Sequence, residues 1–202
     1  MGLTTAAAAA GAAAAIAFIL VAAVDGRTRP GYRPARHPVS ALALGPRGWL
    51  QTANFLGCGA AVTAGSAALA DTSWPLAAST AITGLALIAS GIFPMDPMRG
   101  YPPGTPDTTP ARYSLRHRVH DAAGAVVFLA IPAAETTAAL TPALGPLRPY
   151  SAVSAAASLI LFGVFGRAWE RDSPRAGLWQ RLAILAGWTW LAVIFIGVGA
   201  HP

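Results

Sequence analysis

Six apolar stretches, each close to the roughly 20 residues that span a bilayer's hydrocarbon core, constrain this chain more than any other feature. They lie at about 4–24, 49–70, 76–93, 120–140, 150–166 and 178–199. Only 11% of the 202 residues are charged, against about a quarter in a soluble domain. So few polar groups cannot cover a globule, and lipid must be the solvent. The expected fold is all-α: one transmembrane domain over residues 1–202, a polytopic bundle of six helices. Met1 to Thr5 lack the basic start of a cleaved signal peptide, so the first run is expected to stay as a helix.

The charge is distributed unevenly between these runs. All fourteen basic residues are arginine. Arg27, Arg29, Arg33, Arg36 and Arg47 follow the first run, and Arg99, Arg112, Arg116 and Arg118 follow the third. Arg167, Arg171, Arg175 and Arg181 surround the connection from fifth to sixth. Only Arg148 falls on the other side. By the positive-inside rule the arginine-rich side is cytoplasmic, and both the N- and C-termini are outside. A pI near 10.7 would suit nucleic acid only with a basic face on a soluble fold. Topology already accounts for these arginines, so no nucleic-acid partner is expected. Cys58 is the single cysteine, which excludes an internal disulfide and a cysteine metal cage.

Packing signals are simple. Gly57, Ala61 and Gly65 recur at helical spacing on the second run, a small-residue face that lets another helix approach closely. Two long connections on the arginine-rich side, 25–48 and 94–119, are rich in glycine and proline. Loops of that length are often functional.

Three polar constellations fall on that side. The first runs from His37-Pro-Val-Ser40 through Gly45-Pro46-Arg47-Gly48-Trp49 to Gln51, Asn54 and Phe55. The second is Gly91-Ile-Phe-Pro94 with Asp96-Pro97, followed by Arg99. The third is Arg116-His117-Arg118-Val119-His120-Asp121, opening the fourth run. A carboxylate and an imidazole where helices two, three and four meet can transfer protons. Asp96 and His120 are therefore the candidate acid–base residues, with Asn54 to orient them and Ser40 as a candidate nucleophile. His37, Arg47, Trp49, Gln51, Phe55, Arg99, His117 and Asp121 would line the substrate's head-group pocket. The structural alternative is that Asp96 caps a turn and His120 bonds the helix start. His117 and His120 share a helix face and with Asp96 could hold a metal ion; no other cofactor is implied.

The chain resembles the bacterial membrane proteins catalogued as domain of unknown function 998. The resemblance rests on His37-Pro-Val-Ser40, Gly45-Pro46, Gly48-Trp49, Asn54-Phe55, Gly91-Ile-Phe-Pro94, Asp96-Pro97 and His120 followed by Ala122-Ala123, covering about residues 37–135. It implies a six-helix protein of a bacterial inner membrane and brings no activity. His117 departs from the family's small residue, and no role passes to it.

Glu135 stands apart, inside the fourth run one turn past Pro132. An intramembrane carboxylate marks a candidate functional site; carbonyls freed by Pro132 or a pairing with Arg148 are its expected structural partners. Three functions fit these features. One is a membrane-embedded enzyme acting on a lipid or isoprenoid by acid–base chemistry at the cytoplasmic side. Another is a non-enzymatic lipid-binding or accessory protein. The third is a small transporter using Glu135.

Overall fold

A computed structural model of the protein describes residues 2–200. Six helices follow one another: α1 Leu3–Thr28, α2 Gly48–Ser66, α3 Trp74–Ile92, α4 Leu115–Leu140, α5 Leu147–Glu170 and α6 Ala176–Gly199. Short 3-10 turns lie at Val39–Ala43, Ala67–Leu69 and Pro142–Leu144, and no strand forms among the described residues. Several helices outrun their apolar stretches. α4 begins at Leu115 rather than near 120, because Ser114 caps it by accepting from the His117 N–H. α1 continues through Asp25 to Thr28 because that carboxylate is neutralised inside the fold. Apolar runs stop at the first charge; helical hydrogen bonding does not.

Five of the six helices are long and apolar enough to cross a membrane. The exception is α2, whose first two turns carry Gln51, Thr52 and Asn54. It compensates by packing between α1 and α3, where Gln51 is fully buried and the Asn54 amide donates to the α1 carbonyl of Phe18 (3.2 Å). Such helix-to-helix hydrogen bonds make polar side chains tolerable in a bundle.

Each helix packs on its neighbours in sequence, and α6 returns to α1, so the six close into a ring. Phe18, Val62, Ile131, Trp188, Leu191 and Phe195 are among the buried residues of its core. Phe18 stacks on Trp188 with centroids 4.9 Å apart. Alternating helix direction gathers the segments 29–47, 93–114 and 171–175 at one end, which carries every arginine except Arg148. The short turns gather at the other, where Thr4, Asp71, Thr72 and Gly199 line one depression, so the start of α1 and the end of α6 lie there.

The expected small-residue face of α2 is corrected in detail. A Cβ on Gly57 would meet nothing within 4 Å, whereas one on Gly65 would meet the Phe195 ring at 3.0 Å and the α1 carbonyl of Ala7 at 3.1 Å, so that end of the face does admit a neighbouring helix. The tighter crossing, with α3, belongs to Gly59 and Gly84: a Cβ on Gly59 would fall 2.7 Å from the Gly84 carbonyl oxygen, and one on Gly84 would run into the Thr63 hydroxyl. The contact is between α2 and α3 of one chain.

Candidate functional site

The arginine-rich end is tied together before it offers any site. Asp25, 1% exposed, accepts from Arg29 Nε (3.0 Å) and Nη2 (2.8 Å) and also pairs with Arg47 Nη2. The Arg29 guanidinium then reaches the carbonyls of Leu42 (2.8 Å), Leu44 (3.0 Å) and Arg47 (2.6 Å) and the Tyr101 hydroxyl (3.3 Å). One buried ion pair thus pins both long loops to α1. Asp25 was legible only as the first member of an i,i+4 acid–arginine pair; placing the first helix's end at 24 concealed it.

His37 performs a similar service. Its Nδ1 accepts from the Arg33 N–H (3.0 Å), so Nε2 carries the proton and donates to the Arg99 carbonyl (3.0 Å). Burial pushes its pKa below the usual histidine value, partly offset by the bond to Arg99, with Arg33 and Arg36 adding to the depression. Arg99, held at φ 54, places its guanidinium 3.8 Å over the Trp169 ring and pairs with Asp172 (3.2 Å). Arg47, His37 and Arg99 therefore spend their polar groups on the scaffold, and Trp49 is largely exposed.

Asp96 has the capping geometry. Its Oδ1 accepts from the Ser114 hydroxyl (2.6 Å) and its Oδ2 from the Ser114 N–H (2.8 Å), fastening the start of α4. Burial pushes its carboxyl up, but the two Ser114 bonds and His117 together hold it below the usual aspartate range. The Asp96 N–H donates to His117 Nδ1 (2.9 Å). His117 Nε2 lies 3.0 Å from Asp121 Oδ2, yet out of line for a hydrogen bond, and its ring stacks on Tyr113 at 4.2 Å. His117, His120 and Asp96 do not converge as a metal-ligand trio. Among the described residues no group of three or more His, Cys, Asp or Glu could hold a metal ion.

A cavity of about 200 Å³ opens beside these contacts. Ser40, His120, Asp121 and Gln180 supply its polar groups, and Phe128, Phe162, Phe165 and Trp169 its aromatic wall. A smaller chamber of about 40 Å³ shares Ser40, His120, Gly124, Phe128 and Gln180 and reaches toward Phe18, Phe55 and Trp188 in the ring's centre. A Cβ on Gly124 or Gly166 would meet nothing within 4 Å, so two glycines leave the α4–α5 side of the cavity open. The sequence expectations therefore divide. Ser40, His120, Asp121 and Phe55 line this space, whereas Asp96, Asn54, Gln51, Arg47, Trp49, His37, Arg99 and His117 do not. Gln180, Phe128 and Trp169 went unremarked in the sequence because each sits in an otherwise ordinary apolar helix.

His120 is anchored so that one nitrogen remains for chemistry. Its Nδ1 faces the carbonyls of Phe93 (2.8 Å) and Ser90 (3.0 Å) at the end of α3. Both are acceptors, so Nδ1 carries the proton and Nε2 the lone pair. Gln180 repeats the pattern: its Oε1 accepts from the Val39 N–H (2.6 Å), leaving the amide N–H groups for the cavity. The Ser40 hydroxyl makes no hydrogen bond among the described residues.

Glu135 is fully buried far from this cavity, and its Oε1 accepts from Ser158 Oγ of α5 (3.0 Å). Neither expected partner is used: Arg148 donates instead to the Ala139 carbonyl (3.0 Å), and the acid's second oxygen is unpaired.

An all-helical ring in which five helices are long and apolar enough to cross a membrane defines a multi-pass integral membrane protein. Residues 12–197, spanning parts of all six helices, match the family described as Protein of unknown function (DUF998), and the chain belongs to that family. No curated protein and no solved structure matches it.

Proposed function

We propose that the protein is a membrane-embedded enzyme that acts on a lipid or isoprenoid by acid–base chemistry, with His120 as the proton-transfer group. One observation carries this reading: an imidazole with Nδ1 fixed by two backbone carbonyls lines an aromatic-walled cavity, open beside Gly124 and Gly166. A substrate chain would enter between α4 and α5 and lie against Phe128, Phe162 and Phe165. Its reactive end would meet His120, Ser40 and Gln180. With a lone pair on Nε2, His120 can take a proton from a hydroxyl, that of Ser40 or of a substrate; protonated, it can donate one to an alkene or a leaving oxygen. The arginine-rich end is read as cytoplasmic and the membrane as a bacterial inner membrane, on the arginine asymmetry and the family's character.

A second reading, lipid binding without turnover, has its own support. Asp96, the carboxylate expected beside His120, is committed to Ser114, so the imidazole stands without that partner. One substitution separates the two. The His120→Asn amide can still donate to Ser90 and Phe93 but has no counterpart of Nε2. Purified protein in bilayer discs would be incubated with mixed polar lipids and polyprenyl diphosphates, and products read by mass spectrometry. The enzyme reading expects product from the parent protein and a loss of about 10²-fold or more in His120→Asn, with both folded. Turnover unchanged in His120→Asn sinks the assignment; lipid retained with no product from either protein favours the binding reading.

A further inference from the structure

Four of the fourteen arginines are answered by acids, among them three of the four that are at least partly buried. Arg29 and Arg47 share Asp25, Arg36 pairs with Asp107 and Asp172, and Arg99 with Asp172. Arg181 is the exception among the arginines that are at least partly buried. Its Nη1 donates to the carbonyls of Pro34 (2.5 Å), His37 (2.9 Å) and Gly177 (2.9 Å), and its Nη2 donates to the Tyr32 hydroxyl. All four acceptors are neutral. Burial pushes the Tyr32 phenol up to about 12, against the pull of Arg181, so the phenol supplies no counter-charge. The full positive charge of Arg181 is thus positioned by the fold and left uncompensated. Arg27, on the last turn of α1, is exposed and has no carboxylate within 4.0 Å among the described residues.

These two guanidiniums flank a groove of about 310 Å³ between α1 and α6. Its walls are apolar: Ile19, Ala22 and Ala23 from α1 and Ile184 from α6. Ile19 lies eight residues before Arg27, about 12 Å deeper along the helix by its rise. Charge sits at the arginine-rich end of the groove and hydrocarbon surface runs from it toward the bilayer interior. A soluble anion would use only the first half of that layout.

We infer that the α1–α6 groove is a binding site for one anionic phospholipid, its phosphate between Arg27 and Arg181 and an acyl chain along Ile19, Ala22, Ala23 and Ile184. The groove opens on another face of the ring from the His120 cavity; Val39 and Ile184 form the wall it shares with the smaller inner chamber. The lipid phosphate supplies the counter-charge that no acid among the described residues provides for Arg181. Small residues at 22 and 23 leave the width that a chain needs, and Arg27 is free to select head-group charge.

Native mass spectrometry of the delipidated full chain, titrated with phosphatidylglycerol or phosphatidylcholine of matched chains, tests this. The expected result is a first bound lipid retained several-fold more strongly for phosphatidylglycerol. That preference should fall to near parity in Arg27→Gln, which removes charge without touching the Arg181 scaffold. Ala23→Trp, which fills the groove, should likewise remove the phosphatidylglycerol preference; a circular-dichroism spectrum matching the parent checks that it folds. Equal retention of both lipids by the parent protein, or a preference unchanged in Arg27→Gln, overturns the site. Displacement of the lipid by millimolar inorganic phosphate overturns its assignment to a phospholipid, since the chain contact would then contribute nothing.

Discussion

At the scale of single residues, the acid that matters most to the architecture is Asp25. Its side chain and that of Arg29 are 1% and 4% exposed, and Arg29 carries the loop carbonyls of Leu42, Leu44 and Arg47. Removing one partner of a buried pair costs about 3–5 kcal/mol, because the other charge is left uncompensated. Asp25→Asn is therefore expected to lower thermal stability in detergent markedly, read as the temperature at which the monodisperse peak is lost in size-exclusion chromatography. Arg47→Ala should cost much less, since that side chain is 46% exposed and Arg29 still answers the carboxylate. Equal losses in the two variants would show that Arg29 is not the anchor. The contrast with the sequence is instructive. His37, Asp96 and Arg99 were legible as special because they break apolar or proline-rich context. Their roles were not legible, since whether a polar side chain faces a cavity or a backbone carbonyl depends on loops that approach only after folding. His120 is distinguished from His117 by which nitrogen the scaffold consumes, and spacing carries no trace of that.

At the scale of elements, the six helices were legible because crossing lipid requires long apolar runs, and the chain has little else. Their ends were not, since Ser114, Asp25 and Arg29 extend helices into the interface through caps and ion pairs that hydropathy cannot register. The helix crossing shows the same limit. A small-residue repeat marks where a neighbour can come close, but the rotation of α2 decides which repeat is used, and here it is Gly59 rather than Gly57. Gly84→Val is expected to separate α2 from α3, because its Cβ would run into the Thr63 hydroxyl and close on the Gly59 carbonyl (2.6 Å). Overpacking of this kind typically costs about 1–3 kcal/mol, seen as a lower melting temperature in detergent. Gly57→Ala has open space for its methyl and should be neutral or raise stability by up to about 1 kcal/mol through helix propensity. A Gly57→Ala variant less stable than Gly84→Val would mean that the crossing is assigned to the wrong face.

At the scale of the whole molecule, ring closure and alternating helix direction turn a sequence asymmetry into a spatial one. Every connection that carries several arginines lies at one end, together with the His120 cavity and the α1–α6 groove; the other end holds the start of α1, the end of α6 and the short turns. Moving that arginine-rich end across a bilayer during insertion would require transferring many guanidiniums, whereas moving the other requires one, Arg148. The expected orientation follows and can be measured. Cys58 is 4% exposed and is the only cysteine, so Cys58→Ala gives a cysteine-free background at the cost of one buried sulfur. Into it, Thr108→Cys places a thiol in an exposed loop at the arginine-rich end, and Ala143→Cys places one in the turn before α5. A membrane-impermeant maleimide added to intact bacterial spheroplasts should label position 143 and leave position 108 unlabelled until the cells are lysed. The reverse pattern would place His120 and the guanidiniums of Arg27 and Arg181 at the outer leaflet. Any substrate or anionic lipid would then have to be sought on the external surface, even though the cavity, the anchored imidazole and the uncompensated Arg181 would stand unchanged.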